Sequence, residues 1–242
     1  MGIVKKIATS ILVLTSTLVA SCSVNAEQFW SNFSISYLNG SQYKVIEEDQ
    51  QFFTLEHASG HNWGDTFFFL DRNQSKSGAT GHYAEFSPRL SLGYLTGNDL
   101  SFGIVKDVFI ATTWEQGEGF DNYLLGLGVS LDLPGFNYFT ANVYRANNQL
   151  WDNDEILTLT FAYPFKLGNA EFLYDGFLDW STATETNAAE MNFSTQLKYN
   201  VGAVFNTKAP VYIGLEYAYW NNKFGIPGVD ERAASLLLKW HF

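Results

Sequence analysis

The C-terminal segment, residues 233–242 (AASLLLKWHF), alternates between apolar and polar side chains with a period of two. Successive side chains of a strand face opposite sides, so one face of this segment is wholly apolar and ends in aromatic rings. That face carries Leu236, Leu238, Trp240 and Phe242, and the other carries Ser235, Leu237, Lys239 and His241. Such a strand is typical of bacterial outer-membrane barrels, with an apolar outer band, aromatic girdles and a polar lumen. The segment therefore predicts the closing strand of a transmembrane β-barrel.

The same alternation recurs in about twelve segments, most regularly in residues 123–133 and 191–201. We therefore predict an all-β fold, an antiparallel transmembrane β-barrel of about 12 strands with periplasmic N- and C-termini. Pro88, which cannot donate to a strand ladder, predicts a bulge or local irregularity. A soluble secreted sandwich is the alternative, but it would need two sheets whose apolar faces meet.

Composition agrees with a barrel and excludes other classes. Aromatic residues make up 17% of the 242 residues, yet no apolar run after residue 26 is long enough for a membrane helix. The formal net charge is −11. This acidic balance disfavours both nucleic-acid binding and a polybasic membrane-surface protein, which need basic surface.

Residues 1–26 read as a signal peptide, which leaves residues 27–242 as one outer-membrane barrel domain. Lys5 and Lys6 form a positive start, residues 7–20 an apolar core, and residues 24–26 a small-residue cleavage site. An alternative is lipidation at Cys22, because residues 19–22 resemble a bacterial lipobox. Cys22 is the only cysteine, so cleavage after Ala26 would leave a mature chain without thiol chemistry.

The segments between the predicted strands fall into two groups. With periplasmic termini, the connections after odd-numbered strands lie outside and should be the longer ones. These are residues 39–50, 72–81, 116–122, 146–155, 181–190 and 221–230. Residues 59–62, 134–135 and 166–169 fit short periplasmic turns, whereas 93–105 and 202–210 are longer than expected.

A barrel of about twelve strands should have a narrow lumen, between a packed eight-stranded interior and a wide porin channel. Strand parity places aromatic, acidic and basic side chains inside. Our candidate solute-binding residues are Asp65, Phe67, Phe69, Glu85, Arg89, Phe109, Asp175, Phe177, Asp179, Lys198, Glu216 and Trp220. Aromatic rings stack on flat solutes, and carboxylates accept hydrogen bonds from sugar hydroxyls. The ordinary alternative is that these residues fill space and neutralise one another.

An enzymatic reading is weak. His57 and Ser59 share one strand face, which resembles the arrangement in outer-membrane phospholipase A. In the predicted topology, however, Ser59 falls at a periplasmic turn and has no evident third partner. We therefore predict no enzymatic activity, no metal and no cofactor.

Six segments distributed along the chain form a specific set. They are EHASGHNWGDTFFFLDR (56–72), EFSPRLSLGYLTGNDLSFG (85–103), PGFNYF (134–139), DGFLDW (175–180), EYAYWNNKFGI (216–226) and LKWHF (238–242). Together these segments resemble the Tsx/OmpK family of outer-membrane proteins. The resemblance implies a twelve-stranded monomeric barrel in the outer membrane of a Gram-negative bacterium, with nucleoside-specific channel activity. It also implies that external loops serve as phage or bacteriocin receptors, so a plugged receptor barrel is the alternative function.

Overall fold

The computed structural model describes residues 26–242, which form one closed barrel of twelve antiparallel strands. Each strand pairs with its sequence neighbours, and β1 closes the barrel on β12. This confirms the predicted strand number. The strands are β1 (Gln28–Ser41), β2 (Gln50–His61), β3 (Gly64–Ser75), β4 (Thr80–Ser91), β5 (Val105–Gly117), β6 (Phe120–Leu131), β7 (Tyr138–Asn147), β8 (Glu155–Leu167), β9 (Ala170–Ser181), β10 (Glu190–Asn200), β11 (Val211–Asn221) and β12 (Glu231–His241).

Apart from Ala26, the predicted signal peptide lies outside the described residues, as does the alternative lipidation at Cys22. The barrel end that carries both termini is called the proximal end below. The opposite end is called the distal end. Periplasmic placement of the proximal end remains a prediction.

The C-terminal segment is the closing strand, as its alternation predicted. In the seam, β12 pairs with β1 from Ser34 opposite His241 to Ser41 opposite Ala234. The backbone N–H of Phe242 donates to the carbonyl oxygen of Phe33 at 2.9 Å, which continues the ladder past the end of β12. The ring of Phe242 also lies 5.1 Å from that of Phe33, centroid to centroid.

Contacts between strands that are not neighbours identify the inner face. Arg89 on β4 donates to Asn142 on β7 at 3.3 Å, and Lys239 on β12 pairs with Glu56 on β2 across the intervening β1. Such contacts can pass only through the interior. The opposite face carries exposed apolar residues such as Leu125. The predicted inward and outward sides of the strands are therefore confirmed, including Leu237 as an inward apolar residue of β12.

Aromatic side chains form two outward belts, one near each end, with aliphatic residues between them. This is the girdle pattern of outer-membrane barrels. The distal belt includes Tyr37, Phe53, Trp114, Tyr123 and Trp180, and the proximal belt includes Phe33, Tyr163, Phe172, Tyr199 and Trp240.

The connections differ from the prediction at two distal positions. The segments predicted as loops 72–81 and 116–122 are only 76–79 and 118–119, because β3 to β6 continue into tight turns. Gly78 and Gly119 make this possible with φ values of 94° and 83°, a conformation that costs glycine little. Distal connections are therefore not uniformly the longer ones.

Two proximal connections are long because each begins with a short helix. Helix α1 (Leu92–Thr96) is capped by the Ser91 hydroxyl, which accepts from the N–H of Tyr94 at 3.0 Å. Helix α2 (Val201–Phe205) is capped in the same way by the Asn200 side chain. No helix among residues 26–242 is long and apolar enough to cross a bilayer.

Pro88 produces the expected local irregularity without a register shift. The β4–β5 ladder is recorded at Phe86–Trp114 and again at Arg89–Ala111, with an interruption between them. There the Thr112 hydroxyl donates to the carbonyl oxygen of Pro88 at 2.9 Å. A side-chain bond thus replaces part of the ladder that proline cannot complete.

We predict that Gly126→Ala destabilises the barrel by about 1–3 kcal/mol, the usual cost of overpacking. A methyl group at Gly126 would meet the backbone of Val143 on the neighbouring strand, including its carbonyl carbon at 2.7 Å. Gly128→Ala is the control, because its nearest neighbour is the movable side chain of Asn142. Urea titration of the heat-modifiable folded band measures both variants, and equal losses would contradict this explanation.

Candidate solute pathway through the barrel

A series of aromatic rings runs along the interior from β3 to the distal end. The ring centroids of Phe67 and Phe69 are 5.9 Å apart, and Tyr83 follows Phe69 at 5.7 Å. Phe120 lies 6.3 Å beyond Tyr83, and Trp151 of the β7–β8 connection a further 5.8 Å. We call these five residues the aromatic ladder. Phe67 remains 38% exposed although it faces the interior, so its ring is accessible from the lumen.

Carboxylates lie beside the middle of the aromatic ladder. The hydroxyl of Tyr83 donates to Glu85 Oε1 at 2.7 Å, and Glu85 stands opposite Glu115 in the β4–β5 register. Asp179 on β9 lies within electrostatic range of both glutamates across the interior. We call Glu85, Glu115 and Asp179 the acidic group.

The acidic group is held by neutral donors. Asn122 donates to Glu115 at 2.9 Å, and Thr158 donates to Asp179 at 2.5 Å. Within residues 26–242, no lysine, arginine or histidine forms an ion pair with any of these three carboxylates. The acidic group therefore has hydrogen-bond donors but no cationic partner among the described residues.

A second part of the interior is filled by Arg89 and its partners. The guanidinium of Arg89 makes two bonds to the carboxylate of Asp65, at 2.8 and 2.6 Å, in the fork geometry that favours this pair. It also stacks over the ring of Phe109 at 4.4 Å. Both Arg89 and Phe109 are buried, so a solute can reach Phe109 only if Arg89 moves.

The remaining interior cations are also paired. Lys198 is completely buried and donates to Asp175 at 2.6 Å and to Gln196 at 3.0 Å. Gln196 in turn donates to Glu216 at 2.7 Å. Removing one partner from a buried pair leaves an uncompensated charge, which is strongly destabilising. This arrangement fits a role in holding the wall together.

The distal mouth is narrowed by two connections that pack inward. Tyr43, in the β1–β2 connection, is buried with its hydroxyl 2.7 Å from that of Ser235, and burial raises its pKa. Lys223, in the β11–β12 connection, pairs with Glu231 at 2.5 Å, and burial lowers the pKa of this lysine. The same carboxylate accepts from the backbone N–H of Lys44 at 2.7 Å, so Glu231 joins the two connections.

All twelve candidate residues lie on the inner face, as their strand parity predicted. The structure brings Asp65, Arg89 and Phe109 together, and likewise Asp175 and Lys198. Phe177 and Trp220 are separate from the aromatic ladder, and Trp220 lies under Lys223 at 4.4 Å. Contact of any of these residues with a solute remains a proposal.

Four residues of the pathway are not among the twelve candidates from the sequence: Tyr83, Glu115, Phe120 and Trp151. Strand parity could have supplied Tyr83 and Glu115, because each shares a face with a chosen neighbour. Phe120 lies in the predicted loop 116–122, because β6 begins three residues before the regular alternation that starts at Tyr123. Trp151 lies in a connection, where no periodicity indicates direction.

The histidines and serines that suggested a hydrolase face outward near the proximal end. Ser59 contacts His61 Nε2 at 2.9 Å, whereas His57 Nε2 contacts Ser31 at 2.9 Å. No carboxylate is recorded orienting either histidine in the described part of the chain. Nor does that part contain a cluster of three or more residues able to hold a metal ion.

Comparison with solved structures agrees with the barrel architecture. A structure of the KdgM porin superposes with a TM-score of 0.53 at 11% identity, covering 86% of this chain and 99% of the porin. A structure of the NanC porin gives a TM-score of 0.52 at 12% identity and covers 88% and 99% of the two chains. Identities this low show the fold alone.

Sequence relatives come from two named groups. Outer membrane protein OmpK of Vibrio parahaemolyticus is 29% identical over 142 residues, covering 56% of this chain and 51% of the relative. Nucleoside-specific channel-forming protein Tsx of Salmonella typhimurium is 24% identical over 206 residues and covers 71% of each chain. The chain spans about half the length of the OmpK relatives it matches.

The match to a family model covers most of the described barrel. Residues 26–234 match the model described as nucleoside-specific channel-forming protein, Tsx. Together with the twelve-stranded fold, this match places the protein in the outer membrane of a Gram-negative bacterium. The chain belongs to the Tsx family of channel-forming proteins.

Proposed function

We propose that this barrel is a passive channel for small solutes and that nucleosides are its preferred cargo. The aromatic ladder carries the proposal, because its five rings are spaced closely enough for a flat base to pass from one to the next. Stacking on an aromatic ring accepts any base, since every base has a π-face. The neighbouring acidic group offers acceptors for ribose hydroxyls.

The acidic group also sets the charge preference of the pathway. Carboxylate rings favour cations in channels, and the three carboxylates here have no cationic partner among the described residues. A neutral nucleoside meets no repulsion there, whereas a nucleotide brings a phosphate close to Glu85 and Glu115. The proposed cargo is therefore the nucleoside, with nucleotides disfavoured.

Transport of this kind needs binding that is weak and repeated along the path, so that the solute also leaves. The ladder provides several similar rings, and no energy coupling or cofactor enters the proposal. We further propose a monomeric barrel with its proximal end in the periplasm. The apolar outward face then contacts membrane lipids around the barrel.

We expect Phe67→Ala and Phe69→Ala to weaken nucleoside binding in the lumen. Loss of one stacking ring, worth about 1–3 kcal/mol per base, corresponds to a rise of about 5- to 150-fold in the blocking constant. The measurement is block of planar-bilayer conductance by uridine or adenosine. Phe68→Ala is the matched control, because Phe68 lies between the two rings in sequence but faces outward.

If Phe67→Ala and Phe69→Ala both leave nucleoside block of the conductance unchanged, the aromatic ladder is not the binding surface. If nucleosides do not block the conductance of the unmodified protein, the barrel is a generic small-solute pore. Free bases and free sugars should block less well than nucleosides, because each offers only half of the proposed contacts.

We also expect the Glu85→Gln/Glu115→Gln double variant to lose cation selectivity. Its reversal potential in a potassium chloride gradient should move towards zero, since two carboxyl groups without a cationic partner are replaced by neutral amides. Block by uridine monophosphate should strengthen in the same variant. Glu155→Gln is the control, because Glu155 faces outward opposite Arg145. A selectivity unchanged from the unmodified protein would exclude the acidic group as the charge filter.

A plugged receptor barrel is the second candidate function, and the narrowed distal mouth favours it. Tyr43 and the Lys223–Glu231 pair fasten two connections over the lumen. A barrel closed in this way would present its distal connections to phage or bacteriocins without conducting. Zero conductance from a well-folded, heat-modifiable barrel would favour this function over the channel.

A further inference from the structure

The protein has four arginines, and three of them have evident partners. Arg89 pairs with Asp65 inside the barrel, and Arg145 pairs with Glu155 at 2.5 Å on the outside. Arg232 lies 3.6 Å over the ring of Tyr219 and donates to Asn221. The fourth, Arg72 on β3, is exposed. Among residues 26–242 its guanidinium makes no recorded hydrogen bond, ion pair or cation–π contact.

Arg72 points outward, towards the membrane. Its strand neighbour Asp71 faces the interior, where Thr54 donates to it. In the ladder Arg72 stands between Phe53 of β2 and His82 of β4, both exposed on the outer surface. A cation on the lipid face is tolerated near an interface and is costly at the bilayer midplane. An unpaired arginine here therefore marks the depth of an interface.

The outward-facing residues on either side of Arg72 along the barrel locate that interface. Two positions from Arg72 towards the proximal end, the outward side chains of β2, β3 and β4 are apolar: Leu55, Leu70 and Ala84. Two positions towards the distal end, the outward side chains of the same strands are polar: Gln51, Gln74 and Thr80. Arg72 and His82 lie on the boundary, at the level of the distal aromatic belt that includes Phe53. Lipid headgroup phosphates lie at such a boundary.

The chemistry of this patch fits a phosphate. Arginine presents a planar fork of donors that matches phosphate oxygens, and it is less hydrated than lysine. Gln51 and Gln74 are exposed and paired across β2 and β3, so their amides can add neutral donors. The groups facing His82 are Glu118, with an oxygen 3.8 Å from Nδ1, and Gln116, 3.5 Å from Nε2. Phosphate binding by this patch does not depend on the charge of His82, because Arg72 is always cationic.

We propose that Arg72, with Gln51, Gln74 and His82 around it, binds a lipid A phosphate of lipopolysaccharide. Lipopolysaccharide is the phosphorylated lipid of the outer leaflet, and the distal end faces that leaflet if the termini are periplasmic. The site lies on the outer surface of the wall, and it does not depend on which solute passes through the lumen.

The experiment titrates the full mature barrel in detergent with bis-phosphorylated lipid A and counts bound lipid by native mass spectrometry. Arg72→Gln should weaken binding about tenfold or more, the usual scale for losing a charge-assisted bond. Arg145→Gln is the matched control and should change binding less than about twofold, because that outward arginine already has a carboxylate partner. Arg72→Lys keeps the charge but loses the fork, and should fall between the two.

Further arms separate the lipid from other anions. Lipid A without phosphates should bind the unmodified barrel weakly. Its affinity should equal that of bis-phosphorylated lipid A for the Arg72→Gln variant. Inorganic phosphate at millimolar concentration should not compete. Equal binding of lipid A to the unmodified protein and to Arg72→Gln would overturn the proposal, as would equal binding of phosphatidylglycerol. Heat-modifiable migration of each variant confirms that a loss of binding is not a loss of folding.

Discussion

The closure of β12 on β1 is the constraint on which the rest of the structure depends. In hydrocarbon an unpaired backbone N–H or C=O has no water to bond, so a sheet can span a membrane only if it has no open edge. The seam from Ser34–His241 to Ser41–Ala234 removes the last edge. Once the ring is closed, period-two alternation determines the environment of every strand residue. Apolar side chains face lipid, and polar and aromatic ones share a narrow interior.

The closed ring also explains how charge is distributed inside. Arg89, Lys198 and Lys239 are buried, and each bonds to a carboxylate from another strand. Their attachment across strands fixes neighbouring parts of the wall relative to one another. The acids outnumber these bases, so some carboxylates must rely on neutral donors. Three of these, Glu85, Glu115 and Asp179, lie within electrostatic range of one another and have no cationic partner among the described residues.

The sequence predicted the strand count, the closing strand and the inward faces, because a two-residue period is a strong local signal in a barrel wall. It did not predict the tight turns at Gly78 and Gly119, where a single positive-φ glycine replaces a longer loop. Nor did it reveal which inward residues meet. Phe109 and Phe69 look alike in sequence, but Arg89 covers the first while the second joins Phe67 and Tyr83. That difference arises from strand stagger and side-chain length, which a parity argument does not contain.

The interior therefore divides into two kinds of surface that composition alone would treat as one. Where cations are present, the side chains are fully engaged with one another and leave little free capacity for a solute, as at Lys198 and Asp175. Where cations are absent, Phe67, Phe69 and Tyr83 leave ring faces beside acceptors that are not neutralised. A passing solute would interact with the second surface, and the first would keep that surface in shape. The paired charges thus support the pathway indirectly, since a wall that is rigid on one side can keep the ring spacing constant on the other.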